Sequence, residues 1–175
     1  MALEKWNIDT VHSTVGFTVR HLMVSKVHGL FTKWQGTFAF DETNLPASHV
    51  EVSIDVASVD TREGQRDGHL RSADFFDAEK FPKITFKSTK VEGAKDEFKV
   101  TGDLTLRGVT KPVVLSVEHA GRAVHPQMGE RAGFSAHTSI SRKDFGLAYN
   151  QLLEAGGVAI SDKVDIVIEV EATHA

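Results

Sequence analysis

The sequence contains no cysteine among its 175 residues. This absence excludes disulfide frameworks, thiol nucleophiles and Cys-ligated zinc or iron–sulfur sites. The chain also has only one tyrosine and two tryptophans, against eleven phenylalanines. Because phenylalanine provides apolar area without a polar group, these rings are expected to fill or to line an apolar interior. Composition alone leaves a solid core and a ligand cavity equally open.

Long apolar runs and a strong charge of one sign are missing as well. No segment has the length of a membrane-spanning helix, and residues 1–6 contain no apolar stretch of signal-peptide length. We therefore expect a cytoplasmic protein, or a periplasmic one if a signal peptide has been removed. The net charge is −4, and Lys and Arg are spread along the chain. Nothing in this distribution suggests the basic footprint of a nucleic-acid-binding protein.

The sequence does contain alternation of apolar and polar residues with a period of two. This pattern puts one face of an antiparallel strand against an apolar interior and the other toward water. The candidate strands lie at 5–8, 15–20, 29–40, 50–56, 84–91, 97–106, 112–118, 134–140 and 164–170. About eight hairpin-connected strands predict a barrel or a sandwich, and alternation does not decide between them. Neither a linker nor an internal repeat is visible, so we expect one domain over residues 1–175.

One segment departs from the β pattern. Asp60, followed three residues later by Glu63, resembles an N-cap residue with its reciprocal acceptor. Residues 61–72 therefore predict a short helix. A tight turn directly after it is expected to direct Phe75 and Phe76 inward.

The nine histidines show no spacing that is typical of a metal site. None forms the His-x-His pair of one strand face or the four-residue pair of a zinc-protease helix. His12, His21, His69 and His137 keep a His-dependent metalloprotein open as a lesser alternative, provided that they converge in the folded chain. Nucleophile-elbow and phosphate-loop motifs are absent from the sequence. We expect a protein that is not an enzyme and that requires neither a metal nor a cofactor.

A set of polar residues lies mainly in the irregular segments that interrupt the strands. The set consists of His12, Arg66, Asp67, His69, Asp74, Arg142 and Asp144. In one interpretation, Arg–carboxylate pairs and a histidine attach the helix and a late turn to the barrel. In the other, some of these residues line the mouth of a cavity and contact a ligand headgroup.

Several motifs follow one another in an order that is specific as a set. They are Trp6-x-Ile8-Asp9-x-x-His12-Ser13, Val15-x-Phe17-x-Val19-x-His21, Val59-Asp60-Thr61, Arg66-Asp67-x-His69-Leu70, Asp74-Phe75-Phe76-Asp77, Phe81-Pro82-x-Ile84-x-Phe86, Gly102-Asp103-Leu104-Thr105-Leu106-x-Gly108-Val109-Thr110 and Ser141-Arg142-x-Asp144-Phe145-Gly146. This order, which runs from residue 6 to about residue 170, resembles the YceI-like polyisoprenoid-binding proteins.

The resemblance implies a mostly β, antiparallel lipocalin-like barrel of about eight strands with one short helix near residues 61–72. It also implies a non-catalytic binding or carrier protein for a long-chain polyisoprenoid or an isoprenoid quinone in an apolar channel. A barrel of this size is just wide enough to hold one small ligand or to be filled by its own side chains. Binding of another hydrophobic molecule, such as a fatty acid or fatty amide, is the main alternative, and a homodimer stays open.

The residues expected to line the channel face inward in the alternating pattern or follow from the resemblance. They are Phe17, Val19, His21, Phe38, Phe40, Ile54, Val56, Leu70, Phe75, Phe76, Phe86, Leu104, Leu106 and Ile166, together with Leu115 and Ile168. The apolar members of this set would equally make a solid core, and the sequence does not distinguish cavity wall from core.

Overall fold

The computed structural model describes residues 3–22, 24–150 and 159–175, which form eleven strands, one α-helix and three short 3-10 turns. The strands are β1 (Glu4–Ile8), β2 (Thr14–His21), β3 (Ser25–Phe31), β4 (Trp34–Phe40), β5 (His49–Asp55), β6 (Val59–Asp60), β7 (Lys83–Gly93), β8 (Glu97–Leu106), β9 (Val109–His125), β10 (Gly129–Ser141) and β11 (Lys163–His174). The helix α1 spans Gly64–Arg71. The 3-10 turns span Leu45–Ala47, Val56–Ser58 and Arg142–Phe145.

Eight of the strands form a closed antiparallel barrel in the order β1-β4-β5-β7-β8-β9-β10-β11. The ring closes because β1 pairs with the last residues of β11, Ala172–His174. Further back, residues Asp165–Glu169 of β11 pair with β2, so β2, β3 and β6 extend the sheet at one end of the barrel. The predicted fold class, a mostly β barrel with one short helix, is therefore confirmed.

The alternating pattern determines which side chains face the interior. In β8, Phe98, Val100 and Leu106 are buried while Glu97 and Lys99 are exposed. A strand of alternating residues presents opposite faces in this way, so the barrel interior is apolar and its outer surface is polar.

The two ends of the barrel differ, and we call them the mouth and the floor. The mouth is the end at which α1, the β2–β3 hairpin and the Arg142–Phe145 turn lie. The floor is the opposite end, which carries the β7–β8 and β9–β10 hairpins. Strands β5, β8 and β10 run toward the mouth, and β7, β9 and β11 run toward the floor.

At the mouth, α1 begins later than the sequence pattern predicts. Glu63, not Asp60, is the N-cap residue, and its carboxylate accepts the Arg66 backbone N–H at 2.6 Å. Asp60 instead accepts the backbone N–H of Arg62, whose positive φ of 68° is incompatible with a helix. The predicted helix exists, but its first turn is displaced by this local break.

The strand predicted over residues 29–40 is two strands, β3 and β4. The chain bends at Thr32 and Lys33, whose backbone groups bond the turn after β5 and the end of β5 itself. The strand predicted at 112–118 is longer and spans Val109–His125. It starts directly after a two-residue turn at Arg107 and Gly108, both with positive φ (51° and 74°), a geometry that suits a tight β-hairpin.

Candidate functional site

The barrel encloses a cavity of about 650 Å³, and side chains from β1–β5 and β7–β11 line it. This volume lies within the usual range of small-molecule sites. The lining is overwhelmingly apolar along the barrel, and its charged and polar members come mainly from the mouth. The interior is therefore a cavity with apolar walls rather than a completely filled core.

Most of the residues predicted to line a channel do line this cavity. They are Phe17, Val19, His21, Phe38, Phe40, Ile54, Leu70, Phe75, Phe76, Phe86, Leu104, Leu106, Leu115, Ile166 and Ile168. The structure places Val56 elsewhere: it is 1% exposed but lies in the 3-10 turn after β5, where the alternation of the strand has ended. Whether the lining residues contact a ligand stays a prediction.

Some of the lining depends on very close packing between neighbouring strands. Gly29 on β3 lies beneath the Phe17 ring of β2, and a Cβ at Gly29 would come within 2.2 Å of that ring. Because Gly29 has no side chain, the outer edge of the Phe17 ring can lie close to the β3 backbone.

Three rings stand together at the mouth. His69 contacts Phe75 and Tyr149 edge to face, each at a centroid distance of 4.9 Å, and these two rings contact each other at 5.2 Å. The Nε2 atom of His69 lies 2.8 Å from the Asp74 carboxylate, which orients the imidazole. Asp74 itself is exposed and does not line the cavity.

Arg66 and Asp67 bind the segment before the helix rather than each other. The Arg66 guanidinium donates to Thr61 Oγ1 at 2.7 Å and to the Thr61 carbonyl at 2.8 Å. Asp67 is buried and accepts the backbone N–H and the hydroxyl of Thr61, at 2.8 and 2.5 Å. Arg66 also lines the cavity, so it attaches the helix and faces the mouth at the same time. Arg66 thus attaches the helix, as the first interpretation predicts, and its contact with a ligand headgroup stays a prediction.

Arg142 is buried and acts as a backbone clamp. Its guanidinium donates to the carbonyls of Leu147, Tyr149, Ser161 and Ile160 at 2.5 to 3.3 Å. Burial lowers the pKa of Arg142, and the Asp162 carboxylate at 3.9 Å partly offsets this effect. The expected Arg–carboxylate fork is thus replaced by bonds to carbonyl groups, which hold the segments 147–149 and 160–161 against the mouth.

Asp144 and His12 lie outside the cavity. Asp144 is exposed on the Arg142–Phe145 turn. His12 is exposed between β1 and β2 and bonds Asp9 at 2.8 Å. Hydrogen bonds from His12 and Arg131 lower the pKa of Asp9 well below its usual value. Neither Asp144 nor His12 lines the cavity.

The histidines do not converge. His21 and His69 line the cavity, His12 pairs with Asp9, and His137 is exposed on the outer face of β10. Among the described residues, two groups bring three ligand atoms within 4.8 Å of one another: Glu4, Glu130 and His174, and Asp9, His12 and Glu171. Each group already surrounds an arginine, Arg122 or Arg131, which supplies the positive charge.

Aromatic rings close the floor of the cavity. Phe40, the last residue of β4, contacts Phe98 at 5.7 Å and Phe134 at 5.3 Å between ring centroids. Phe98 is the second residue of β8, which also places this group near the floor. His119 stacks on Phe134 at 4.6 Å.

An ionic network lies next to these rings. The Arg122 guanidinium is 5.3 Å from the centre of the Trp6 ring, which is only 1% exposed. Arg122 also binds Glu4, Glu42 and Glu130 at 2.8 to 3.3 Å. The hydrogen bond between Arg122 and Glu4 raises the pKa of the arginine and lowers that of the glutamate. Rings and charges together separate the floor of the cavity from solvent.

Sequence reasoning missed several residues of the cavity. Phe98 and Phe134 stand in alternating segments that the pattern predicts as strands, so the same signal would have found them. Tyr149 lies in an irregular stretch where no periodicity applies. Its position depends on the Arg142 clamp, which no local pattern predicts.

Residues 6–172 match the family described as the YceI-like domain. Protein YceI of Escherichia coli O157:H7 is 46% identical over 163 residues, which cover 93% of this chain and 82% of that protein. A crystal structure of the Campylobacter jejuni YCEI protein superposes with a TM-score of 0.76 at 35% identity, covering 89% of each chain. A polyisoprenoid binding domain from Saccharophagus degradans, implicated in plant cell wall breakdown, superposes with a TM-score of 0.67 at 17% identity, covering 99% of this chain and all of that one. At this low identity, the last match shows a shared fold.

Proposed function

The chain belongs to the YceI-like family, and from that premise we propose that it binds one long-chain polyisoprenoid or isoprenoid quinone in the barrel and carries it without catalysis. The observation that carries this proposal is the shape and chemistry of the cavity. Its walls are apolar, its floor is closed by Phe40, Phe98 and Phe134, and its polar groups are concentrated at the mouth. That arrangement suits an amphiphile with one long apolar tail and one small polar end.

Burial of apolar surface is enough to bind a long tail without directed contacts. Each CH₂ group withdrawn from water contributes about 0.8 kcal/mol. A tail of several isoprene units therefore binds through burial alone, and only a few polar groups are needed to orient the headgroup. Branched, unsaturated tails also match a wall built largely from phenylalanine, valine, leucine and isoleucine side chains.

The proposed orientation puts the tail toward the floor and the headgroup beside His69, Arg66 and Tyr149. These three residues come from α1 and from the segment that Arg142 holds at the mouth. The Saccharophagus degradans domain with the same fold is described as polyisoprenoid binding, which supports the ligand class.

The non-catalytic part of the proposal concerns the polar groups at the mouth and their hydrogen-bond partners. His69 is bound to Asp74, Arg66 to Thr61, and Arg142 to backbone carbonyls. A histidine held by an aspartate also occurs in catalytic triads, so the deciding feature is whether a nucleophile lies on the other side of the histidine. Among the cavity residues of the described chain, no serine or threonine hydroxyl is hydrogen-bonded to a histidine. We accordingly propose that neither a cofactor nor a metal is required.

The test places a larger side chain at one position that lines the cavity. The adjacent residue on the same strand, which faces outward, serves as the control. Leu115 on β9 faces the cavity, and Val114 faces outward and is 46% exposed. We expect Leu115→Trp to bind an added isoprenoid quinone at least about tenfold more weakly than the wild type, because the indole occupies the tail's volume. Val114→Trp should bind it as the wild type does. Native mass spectrometry measures the stoichiometry for each protein, and thermal unfolding verifies that both variants fold.

Three results would contradict the proposal. If wild-type protein takes up no isoprenoid quinone and no prenyl phosphate, the cavity does not serve this class of ligand. If a straight-chain fatty acid binds more tightly than the quinone, the main alternative, a fatty-acid carrier, replaces it. A Leu115→Trp variant that is folded and binds normally would exclude the barrel interior as the site.

A further inference from the structure

The β2–β3 hairpin ends in exposed apolar side chains at the mouth of the barrel. Val24 is 80% exposed and Leu22 is 41% exposed. Hairpin turns usually carry glycine, asparagine or aspartate, since these residues tolerate the backbone geometry. Here Leu22 adopts a positive φ of 51°, a conformation that leucine rarely takes. The tip therefore carries apolar side chains at positions where polar turn residues would fit more easily.

The same hairpin lies in a part of the chain without acidic residues. Between Asp9 and Asp41 the sequence has no aspartate or glutamate, although the whole chain carries a net charge of −4. This stretch of 10–40 contains Arg20, Lys26 and Lys33 as well as three histidines. The hairpin is thus a local positive region on a negatively charged protein.

Two of these cations lie directly opposite each other on the hairpin. Arg20 of β2 pairs in register with Lys26 of β3, and both side chains are exposed. Like charges that face each other across two strands are destabilising. Within the described part of the chain, neither residue makes an ion pair within 4.0 Å. The Ser139 hydroxyl and, at longer range, the Lys26 ammonium lower the pKa of Asp165 on the neighbouring strand β11. Arg20 and Lys26 are both exposed and can still bind an anion from outside the molecule.

The hairpin is continuous with the cavity. Val19 and Val27, which pair across β2 and β3, both line the cavity just below the tip. The tip is also attached to the mouth by the backbone bond from Leu22 N–H to the Ala159 carbonyl at 2.7 Å. A surface that receives the tip would consequently lie against the entrance of the cavity.

We propose that the tip of the β2–β3 hairpin docks the protein on an anionic lipid bilayer. Leu22 and Val24 enter the boundary between headgroups and acyl chains, while Arg20 and Lys26 bind the anionic headgroups. Apolar insertion combined with electrostatic attraction is how peripheral proteins bind such surfaces. Two apolar residues and two cations make this contact weak, reversible and sensitive to salt. This docking is tested on vesicles that contain no isoprenoid, so the measurement does not depend on ligand binding.

Vesicle co-sedimentation tests the proposal with purified full-length protein. The vesicles consist of phosphatidylcholine alone or of an equimolar mixture of phosphatidylcholine and phosphatidylglycerol. We expect the wild type to co-sediment with the anionic vesicles and not with the neutral ones. Val24→Asp and Lys26→Glu should each weaken this binding at least about fivefold. Added salt should release the bound wild-type protein.

Matched controls come from the rest of the barrel. Val124→Asp changes an equally exposed valine (75%) near the β9–β10 hairpin at the floor. Lys99→Glu changes an exposed lysine on the outer face of β8. Both variants carry the same charge changes as the test variants and should bind anionic vesicles as the wild type does. Native mass spectrometry records the ligand content separately, so a failure here is distinguishable from a failure of the carrier proposal.

Three results would overturn the docking proposal. The first is wild-type protein that binds neither kind of vesicle, or both kinds equally. The second is a pair of controls that lose as much binding as Val24→Asp and Lys26→Glu, because the effect then reflects net charge. The third is a dimer in analytical ultracentrifugation that depends on Val24 and does not bind vesicles, which would assign the tip to a second copy of the chain.

Discussion

At the scale of single residues, Arg142 connects more of the mouth than any neighbouring side chain. Its planar guanidinium reaches carbonyl groups in two separate segments of the chain, at 147–149 and at 160–161. A buried carbonyl that loses its hydrogen-bond donor is left without a partner, and the folded state then bears the full desolvation penalty of that group. The Arg142 side chain therefore holds Tyr149 beside His69.

Replacing this residue should be costly. We expect Arg142→Met to lower the free energy of unfolding by at least about 2 kcal/mol, because several buried carbonyls lose a charged donor together. Urea unfolding measures the change. Lys143→Met is the control: Lys143 is exposed, and its ion pair with Asp162 at 3.3 Å joins two exposed side chains. That variant should change the free energy of unfolding by no more than about 1 kcal/mol. Equal effects in the two variants would contradict the clamp.

At the scale of strands and turns, the floor rings limit the depth of the cavity. Phe40, Phe98 and Phe134 come from β4, β8 and β10, three strands that lie apart in the ring and meet across it. Removing one ring should extend the cavity toward the floor. If the tail points that way, the number of isoprene units that the barrel accepts depends on these rings.

The Phe98→Ala variant tests this dependence. We expect it to accept quinones with a longer tail than the wild type accepts, as measured by native mass spectrometry across a series of chain lengths. Phe145→Ala is the control, since Phe145 is 2% exposed but does not line the cavity. Both changes should destabilise the fold by about 3–5 kcal/mol. An unchanged limit in Phe98→Ala, or the same extension in Phe145→Ala, would contradict a floor that sets tail length.

Strand positions were largely predictable from the sequence because alternation reports burial directly. The strand Glu97–Leu106 has the predicted bounds, and the inward side of β2 is as expected. Elements whose geometry depends on distant contacts were not predictable. The start of α1 depends on the backbone break at Arg62, and the position of Tyr149 depends on Arg142. Val56 belongs to the buried core and does not line the cavity, because β5 ends one residue earlier.

At the scale of the whole molecule, the two ends of the barrel differ. The ring is sealed by the pairing of β1 with β11, and the Arg122 network covers the floor. The helix, the Arg142 clamp and the β2–β3 hairpin all lie at the mouth. Among the described residues, no helix is long and apolar enough to cross a membrane. A ligand that enters and leaves through the mouth, while the floor stays shut, accounts for this asymmetry.

We propose above that the cavity holds an isoprenoid amphiphile. The most direct measurement is native mass spectrometry of freshly purified protein, followed by extraction with organic solvent and identification of the released lipid. We expect one apolar adduct per chain, with masses spaced by isoprene units. A protein that carries no adduct, and that stays free after incubation with isoprenoid quinones and prenyl phosphates, would contradict the proposal.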